Sequence, residues 1–435
     1  MTIDQGLTLL VLAAVIGLLI WDRLRADVVA LSGAALLLMT GVVRPVDVQG
    51  AFASPAIIAL ASLFVIAYAL ELSGLLDRAI ALGVELCRTM GTKGIWLLLT
   101  MIGGVSCFLN STPIVVLGAP VLRDVALALK QSPKRYLMPL SYITVLTGCC
   151  TLIGTSTNLL VDDMASVAGQ ARFGIFEITP VGLPMAMAGG LYLFLVSNRL
   201  LAAGEREERE NEPDPVSSVE IGNAQVGDAS LFSVKRPLHP AKAITAFAVF
   251  AGAIALAALN VAPIAATALS GAVLLILLRV ISADDAYRGL RPEILILIAG
   301  MVVIGIALET SGLADAASSV LITRVHGLSP LVALIVLYLI TMVLTELLSN
   351  ATVAVLVTPI AVALAESLAV SPRPFLVAVM MAASAAFATP FGYQTNVIVY
   401  QMGGYRYMDF VRVGLPLNII TGAVAILAIQ AFFPF

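Results

Sequence analysis

Apolar residues fall along this chain in blocks of roughly 15–20, enough to cross a hydrocarbon core of about 30 Å at about 1.5 Å per residue. In the first half the blocks lie at 7–21, 27–43, 56–73, 137–168 and 183–200. The fourth is too long for one straight helix, and Gly154-Thr155-Ser156-Thr157-Asn158 interrupts it. A further apolar pair between 95 and 128 is split by Asn110-Ser111-Thr112-Pro113. Each arm reads as short, which predicts a re-entrant hairpin rather than two spans. Residues 77–91 mix Asp77, Arg78, Glu85 and Arg88 with apolar positions, the pattern of a helix lying on a membrane surface.

The plan then repeats. Leu31-Ser32-Gly33-Ala34 recurs as Leu269-Ser270-Gly271-Ala272, and Glu71-Leu72-Ser73-Gly74-Leu75 as Glu309-Thr310-Ser311-Gly312-Leu313. Pro120 matches Pro359, Gly154-x-x-Thr157-Asn158 matches Gly392-x-x-Thr395-Asn396, and Val181-Gly182-Leu183-Pro184 matches Val413-Gly414-Leu415-Pro416. Five anchors in one order are hard to produce by chance. The second-half spans are then 243–259, 264–281, 293–309, 375–402 and 413–433, with a hairpin at 331–366 split by Ser349-Asn350-Ala351. The reading is an all-α multi-pass membrane protein of two repeats, 1–202 and 241–435. Each has five spans, one re-entrant hairpin and one broken helix. The stretch 203–240 crowds six acidic residues between Glu205 and Asp214 with Pro213 and Pro215 and reads as a flexible, solvated linker.

Composition narrows the solvent. The chain is 60% hydrophobic and 12% charged, with a mean hydropathy of +1.03. Soluble domains carry about 25% charged residues, so this chain must use lipid to cover its surface. Met1 to Gly6 has no positive charge, so the first apolar run reads as a retained span rather than a cleaved signal.

Charge orients the spans. Five spans per half is an odd number, so the halves insert with opposite topology. On that count only Arg44, Arg172, Arg324 and Arg373 of the 24 basic residues fall on one side. The positive-inside rule makes the other side cytoplasmic, with both termini outside and the linker inside. The membrane expected is a bacterial-type inner (plasma) membrane. The hairpins then enter from opposite faces, and their tips can meet near the midplane.

Broken helices in lipid leave backbone groups that only protein, ions or a wet cavity can satisfy. Carbonyls closing one half-helix can coordinate a hard cation, and the N–H groups opening the next favour an anion. Paired breaks at matching positions of two halves are the mark of a secondary transporter's binding site. One hairpin tip beside one broken span makes one sodium site: Asn110, Ser111, Gly154 and Asn158 in the first half, Ser349, Asn350, Gly392 and Asn396 in the second. Between them Asn110, Ser111, Thr112, Thr157, Ser349, Asn350, Gln394 and Thr395 are the expected ligands of a small anion. No Arg or Lys sits in the middle of a span, so co-bound cations must neutralise the anion, which implies coupling. Glu346, three residues before Ser349, is a candidate coupling acid. Ser, Thr, Asn and Gly also serve plain helix packing, but four clusters in register favour a site. Asp162 and Asp163 follow the first break, and Glu71 and Glu309 read as interfacial caps.

Other chemistry is poorly supported. Cys87, Cys107, Cys149 and Cys150 form no CxxC pair, and His239 and His326 lie in polar connections, so no His/Cys metal cluster is expected. No span carries HExxH or GxSxG, which argues against an intramembrane enzyme. Nothing in the chain suits nucleic acid.

At these residues the halves resemble the divalent-anion/sodium symporter family of the wider ion-transporter superfamily. That family carries Ser-Asn-Thr at both tips, where this chain has Asn110-Ser111-Thr112 and Ser349-Asn350-Ala351. The loops Gly154-Thr155-Ser156-Thr157-Asn158 and Gly392-Tyr393-Gln394-Thr395-Asn396 look like those of bacterial permeases with regulatory domains inserted between the halves. Here the acidic linker stands in place of that insert, and the family's non-repeated first span has no counterpart. The resemblance implies a homodimer working as an elevator, with sodium and a C4-dicarboxylate, citrate or sulfate as cargo. A sodium/proton antiporter or arsenite-type permease of the same superfamily is the alternative.

Overall fold

Serines and prolines start many of the helices. The Ser54, Ser282, Ser329 and Ser349 hydroxyls accept from backbone N–H groups in the first turn of the helix that follows. Pro55, Pro240, Pro292 and Pro330 open helices where a missing N–H costs nothing. The computed structural model describes residues 2–21, 24–75, 78, 87, 90–208, 238–259, 261–313, 329–390 and 392–435.

Among these residues all regular structure is helical. The first half contains α1 (Ile3–Trp21), α2 (Ala26–Met39), α3 (Pro45–Phe52), α4 (Pro55–Leu72), α5 (Thr92–Ser106), α6 (Ser111–Ala128), α7 (Lys134–Gly148), α8 (Ser156–Val167) and α9 (Thr179–Glu208). The second contains α10 (Pro240–Ala258), α11 (Ile264–Leu277), α12 (Ala283–Gly289), α13 (Pro292–Thr310), α14 (Pro330–Leu347), α15 (Asn350–Ser367), α16 (Arg373–Ser384), α17 (Gln394–Gly403) and α18 (Tyr407–Phe432). The order of long and short helices recurs element by element.

Contacts between the halves are reciprocal. α2 packs on α13 while α4 packs on α11, and α6 packs on α17 while α15 packs on α8. α9 and α18 pack on each other. Two packing groups result, α1–α4 with α10–α13 and α5–α9 with α14–α18. They meet chiefly where α8 lies against α4 and α13, and α15 against α13. α4 and α13 are apolar around their whole circumference, as suits helices with protein on one side and lipid on the other. Exposed Met39, Leu277 and Leu347 belong to the same apolar exterior.

Several expectations need correction. The breaks are longer and begin earlier: residues 149–155, 385–390 and 392–393 are non-helical, and helix resumes at Ser156 and Gln394. Asn158 and Asn396 therefore sit in the first turn of a half-helix, where buried N–H groups need partners, rather than in the loop. The hairpin arms are not short. Those of the second, α14 and α15, have 18 residues each, about 27 Å at the helical rise. Length alone therefore does not make either hairpin re-entrant. Conversely α2 and α11, expected as spans, are 14 residues long, and seven helices among the described residues are long and apolar enough to cross a membrane. α3 and α12 are short helices where connections were expected. α9 continues to Glu208, into the expected linker, whose residues 209–237 lie outside the described residues, as does most of the expected surface helix at 77–91.

Three of the four basic residues assigned to the sparsely charged side are neutralised locally. Arg44 pairs with Asp47 at 2.9 Å, Arg172 with Asp162 and Asp163 at 3.2 and 2.9 Å, and Arg373 with Glu177 at 2.5 Å. Arg373 also donates to the Ala171 carbonyl at 2.9 Å and stacks over Phe173, tying the loop after α8 to the start of α16.

Candidate functional site

The first pocket forms where the α5–α6 hairpin meets the break between α7 and α8. Ser106 and Ser111 Oγ both donate to the Thr144 carbonyl, at 2.8 and 3.0 Å. Thr151 Oγ1 donates to the Cys107 carbonyl at 2.5 Å, and Asn158 Nδ2 to the Thr151 carbonyl at 3.1 Å. Carbonyls crowd around Gly154: a Cβ there would lie 2.4 Å from the Gly148 oxygen and 2.6 Å from the Cys107 oxygen. Only glycine leaves that space open. Asn158 is fully buried, and its Oδ1 accepts no hydrogen bond. A sealed acceptor beside backbone carbonyls and hydroxyls is a donor set that suits a hard monovalent cation.

The second pocket repeats this network. Thr345 Oγ1 donates to the Ala383 carbonyl at 2.6 Å and to Asn350 Oδ1 at 3.0 Å. Thr389 Oγ1 donates to the Glu346 carbonyl at 3.3 Å, and Asn396 Nδ2 to the Thr389 carbonyl at 3.2 Å. Ser106 thus corresponds to Thr345, Cys107 to Glu346, Ser111 to Asn350 and Thr151 to Thr389. The pockets differ in charge. Glu346 Oε1 accepts from the Ala388 N–H and from Asn418 Nδ2, both at 2.7 Å, and Oε2 lies 3.2 Å from where a Gly392 Cβ would sit. The carboxylate anchors the second hairpin to its break and fills the place that is neutral in the first pocket. Asn396 Oδ1 is taken by Ser141 Oγ at 2.7 Å, whereas Asn158 Oδ1 stays open.

The halves are stitched together between these pockets. Ser141 Oγ also bonds Thr395 Oγ1 at 2.7 Å, and Thr112 Oγ1 approaches Gln394 Oε1 at 3.4 Å. Tyr393, expected only as part of a loop, reaches the Ser111 and Thr155 side chains. Asn110, Thr155 and Ser349 turn out to be helix caps, accepting from the N–H groups of Thr112, Thr157 and Thr352 at 3.1, 3.4 and 3.2 Å. They fix the N-termini of α6, α8 and α15, and so put positive backbone ends at the two hairpin tips and the first break. Thr157 is buried beside Thr155 Oγ1, while Ser349 and Gln394 are exposed.

Thus Ser111, Gly154 and Asn158 come together, as do Asn350, Gly392, Asn396 and Glu346. Thr112 is drawn to Gln394 across the halves. The two tips are not joined: among the described residues no hydrogen bond links them. Sequence reasoning missed Ser106, Thr144, Thr151, Thr345 and Thr389, which hold the pockets' shape. The repeat itself carried the signal, because Ser106/Thr345 and Thr151/Thr389 recur about 238 residues apart. Glu71, expected as an interfacial cap, is buried and lines a cavity with Asn110.

A helical bundle with polar pockets at paired breaks defines a multi-pass membrane transporter, not an enzyme. The chain belongs to the citrate transporter family, whose model matches residues 16–370 and 347–434. It is of the divalent-anion/sodium symporter kind read from the motifs. An uncharacterised transporter of Synechocystis is 25% identical over 95% of each chain. That match runs over 583 residues, more than this chain has, so the relative carries extra residues within the matched span. A sodium/sulfate cotransporter of Chlamydomonas reinhardtii is 34% identical over 34% of this chain and 17% of its own. The fold is shared with the crystal structure of the YdaH transporter of Alcanivorax borkumensis, with a TM-score of 0.61 and 12% identity over 88% of this chain and 86% of that one.

Proposed function

We propose that the protein is a secondary active transporter that moves a small divalent anion (a C4-dicarboxylate, citrate or sulfate) together with sodium. The observation that carries this reading is the pair of matching break–hairpin pockets, one of which holds the unpartnered Asn158 Oδ1. Sodium ions bound there place positive charge beside the capped N-termini of α6, α8 and α15. An anion between the pockets is then stabilised only when the cations are present, which is the physical basis of coupling.

The two halves are read as inverted repeats, supported by their reciprocal contacts and by the charge segregation that puts both termini outside. The hairpins are read as re-entrant because Ser111 at the first tip and Thr345, five residues before Asn350 of the second, bond the broken spans partway along, at Thr144 and Ala383. An elevator motion suits the thin seam between the two packing groups, with α1–α4 and α10–α13 as scaffold; a homodimer would hold the scaffolds still. Ser54 Oγ donates to Asp163 Oδ2 at 2.9 Å across that seam. One such bond contributes about 1–3 kcal/mol, so Ser54→Ala should shift the distribution of carrier states several-fold. Alkylation rates of a cysteine introduced at Ser349 would read that shift, and an unchanged rate would remove Ser54 from the mechanism.

The test of function is uptake of sulfate, succinate, citrate and arsenite into proteoliposomes with and without a sodium gradient. Sodium-dependent uptake of one of the first three is expected. A cysteine introduced in the linker of the same protein should label from the cytoplasmic face alone. A proton-coupled or arsenite-type reading is kept alive by Glu346, whose Oε2 has no hydrogen-bond partner. Proton movement without added anion, with no sodium effect, would favour it.

A further inference from the structure

The two packing groups leave two cavities at their seam, lined on the scaffold side by corresponding residues. One, of about 330 Å³, is lined by Asp47, Gly50, Ser54 and Val302 together with Asp163 and Arg172. The other, of about 190 Å³, is lined by Phe64, Glu71, Arg288 and Arg291 together with Asn110 and Pro113 of the first hairpin tip. Ala51, also on the wall of the first cavity, and Ser54 hold the places of Arg288 and Arg291 in the second, since Pro55 and Pro292 open the matching helices α4 and α13.

The charges differ as the residues do. The single arginine of the first cavity is held by two aspartates. The second cavity has two guanidinium groups. Arg288 is only loosely paired, 3.7 Å from Asp285. Arg291 is half-buried and caps α13 without a side-chain capping bond. It lies close enough to Glu71, Glu293 and Tyr393 to interact electrostatically with all three. Tyr393 in turn touches Ser111 and Thr155. Among the residues that line the cavity Glu71 offsets one of the two guanidinium charges, so the wall shared with Asn110 keeps an excess of one, while Asp285 and Glu293 lie beside the arginines but off that wall.

We infer that Arg291, with Arg288 and the Asn110 amide, forms an anion subsite at this mouth, where a small sulfate- or dicarboxylate-like dianion is held on its way between the hairpin tip and solvent. The subsite adds arginines to the backbone ends, neutral side chains and co-bound cations expected to hold the anion; they come from the scaffold side, at helix ends that the sequence placed outside the spans. The inference rests on the anion-transport reading and names a subsite for it. On the charge orientation, Arg288 and Arg291 lie on the cytoplasmic side, so the subsite serves release inward.

Calorimetric titration of the purified full-length protein with sulfate, succinate and citrate tests it. Arg291→Gln should weaken binding of the accepted anion about tenfold, Arg291→Lys less, and Arg288→Gln, on an exposed side chain, a few-fold without loss of fold. In proteoliposomes the same variants should raise the anion KM on the cytoplasmic face and leave the outer-face KM and the sodium dependence unchanged. Unaltered affinity in both glutamine variants, or no binding of any of the three anions by the wild-type chain, overturns the subsite. Arginine-dependent binding with sodium-independent transport would instead sink the symport reading and leave the subsite standing.

Discussion

Replacing Asn158 by alanine should raise the sodium concentration for half-maximal transport at least tenfold, with a smaller change in anion KM at saturating sodium. Asn158 is buried at the first turn of α8. Its amide nitrogen is spent on the Thr151 carbonyl at 3.1 Å, and its oxygen has no donor. Loss of one liganding oxygen from a site this small is worth on the order of 1.4 kcal/mol or more, a factor of ten in affinity. The matching change, Asn396→Ala, should act differently. Its oxygen already accepts from Ser141 at 2.7 Å and its nitrogen holds the Ala386 and Thr389 carbonyls at 2.8 and 3.2 Å. Removing it should lower expression and thermal stability along with transport. Sodium titrations of both variants separate the cases, and equal sodium dependence in Asn158→Ala and the wild type would remove the first pocket as a cation site.

Gly414→Ala should be among the most damaging single-methyl additions in the chain. A Cβ at Gly414 would sit 1.8 Å from the Phe387 carbonyl oxygen and 2.3 Å from its carbon. Both are backbone atoms of the second break, so neither can swing aside as a side chain would. The same oxygen accepts from Tyr142 Oη at 2.6 Å, and α18 would have to move away from it. Such overpacking costs about 3 kcal/mol, and it displaces the loop that holds Glu346 and Gly392. A thermal melt in detergent should show a clear loss of stability and uptake should nearly vanish. Gly182→Ala, whose Cβ would lie 2.3 Å from the Cys149 carbonyl, should behave alike, whereas Gly190→Ala, with nothing within 4 Å, should be close to neutral. A stable, active Gly414→Ala protein would show that α18 and the break are not packed as described.

The Val-Gly-Leu-Pro repeat that marked these glycines was visible in the sequence, but only as an anchor for aligning the halves. Its function is steric and needs the partner atom, a carbonyl 27 residues earlier in the chain, to be seen. Asn158 and Asn396 show the same limit. Their identical motifs predicted identical roles, and the structure separates them by one hydroxyl, Ser141, contributed by a helix of the other half. Glu346 was legible as an unusual charge among apolar residues. That it stands where the first hairpin has Cys107 was legible from the repeat as well; the network both residues join was not, because it depends on hydrogen bonds to Thr389 and Ala388.

Helix lengths were read less well than helix order. Period and composition cannot place an end where all faces are apolar, so α2 and α11 came out shorter than the blocks that predicted them and the hairpin arms longer. The breaks were misplaced because Thr and Ser near Gly read as loop, although here they open a half-helix.

The sequence by itself determined that this chain lives in lipid, that it repeats, that its repeats carry paired polar interruptions and which family it resembles. Those properties are one-dimensional: hydropathy, spacing and the order of anchors. The tertiary structure decided which interruptions share a pocket, which asparagine oxygen is left open and that Arg288 and Arg291 line one cavity with Asn110 of a hairpin tip. Contacts such as Ser141–Asn396 and Tyr393–Ser111 join residues hundreds of positions apart, and no spacing rule along one chain encodes where two folded halves meet.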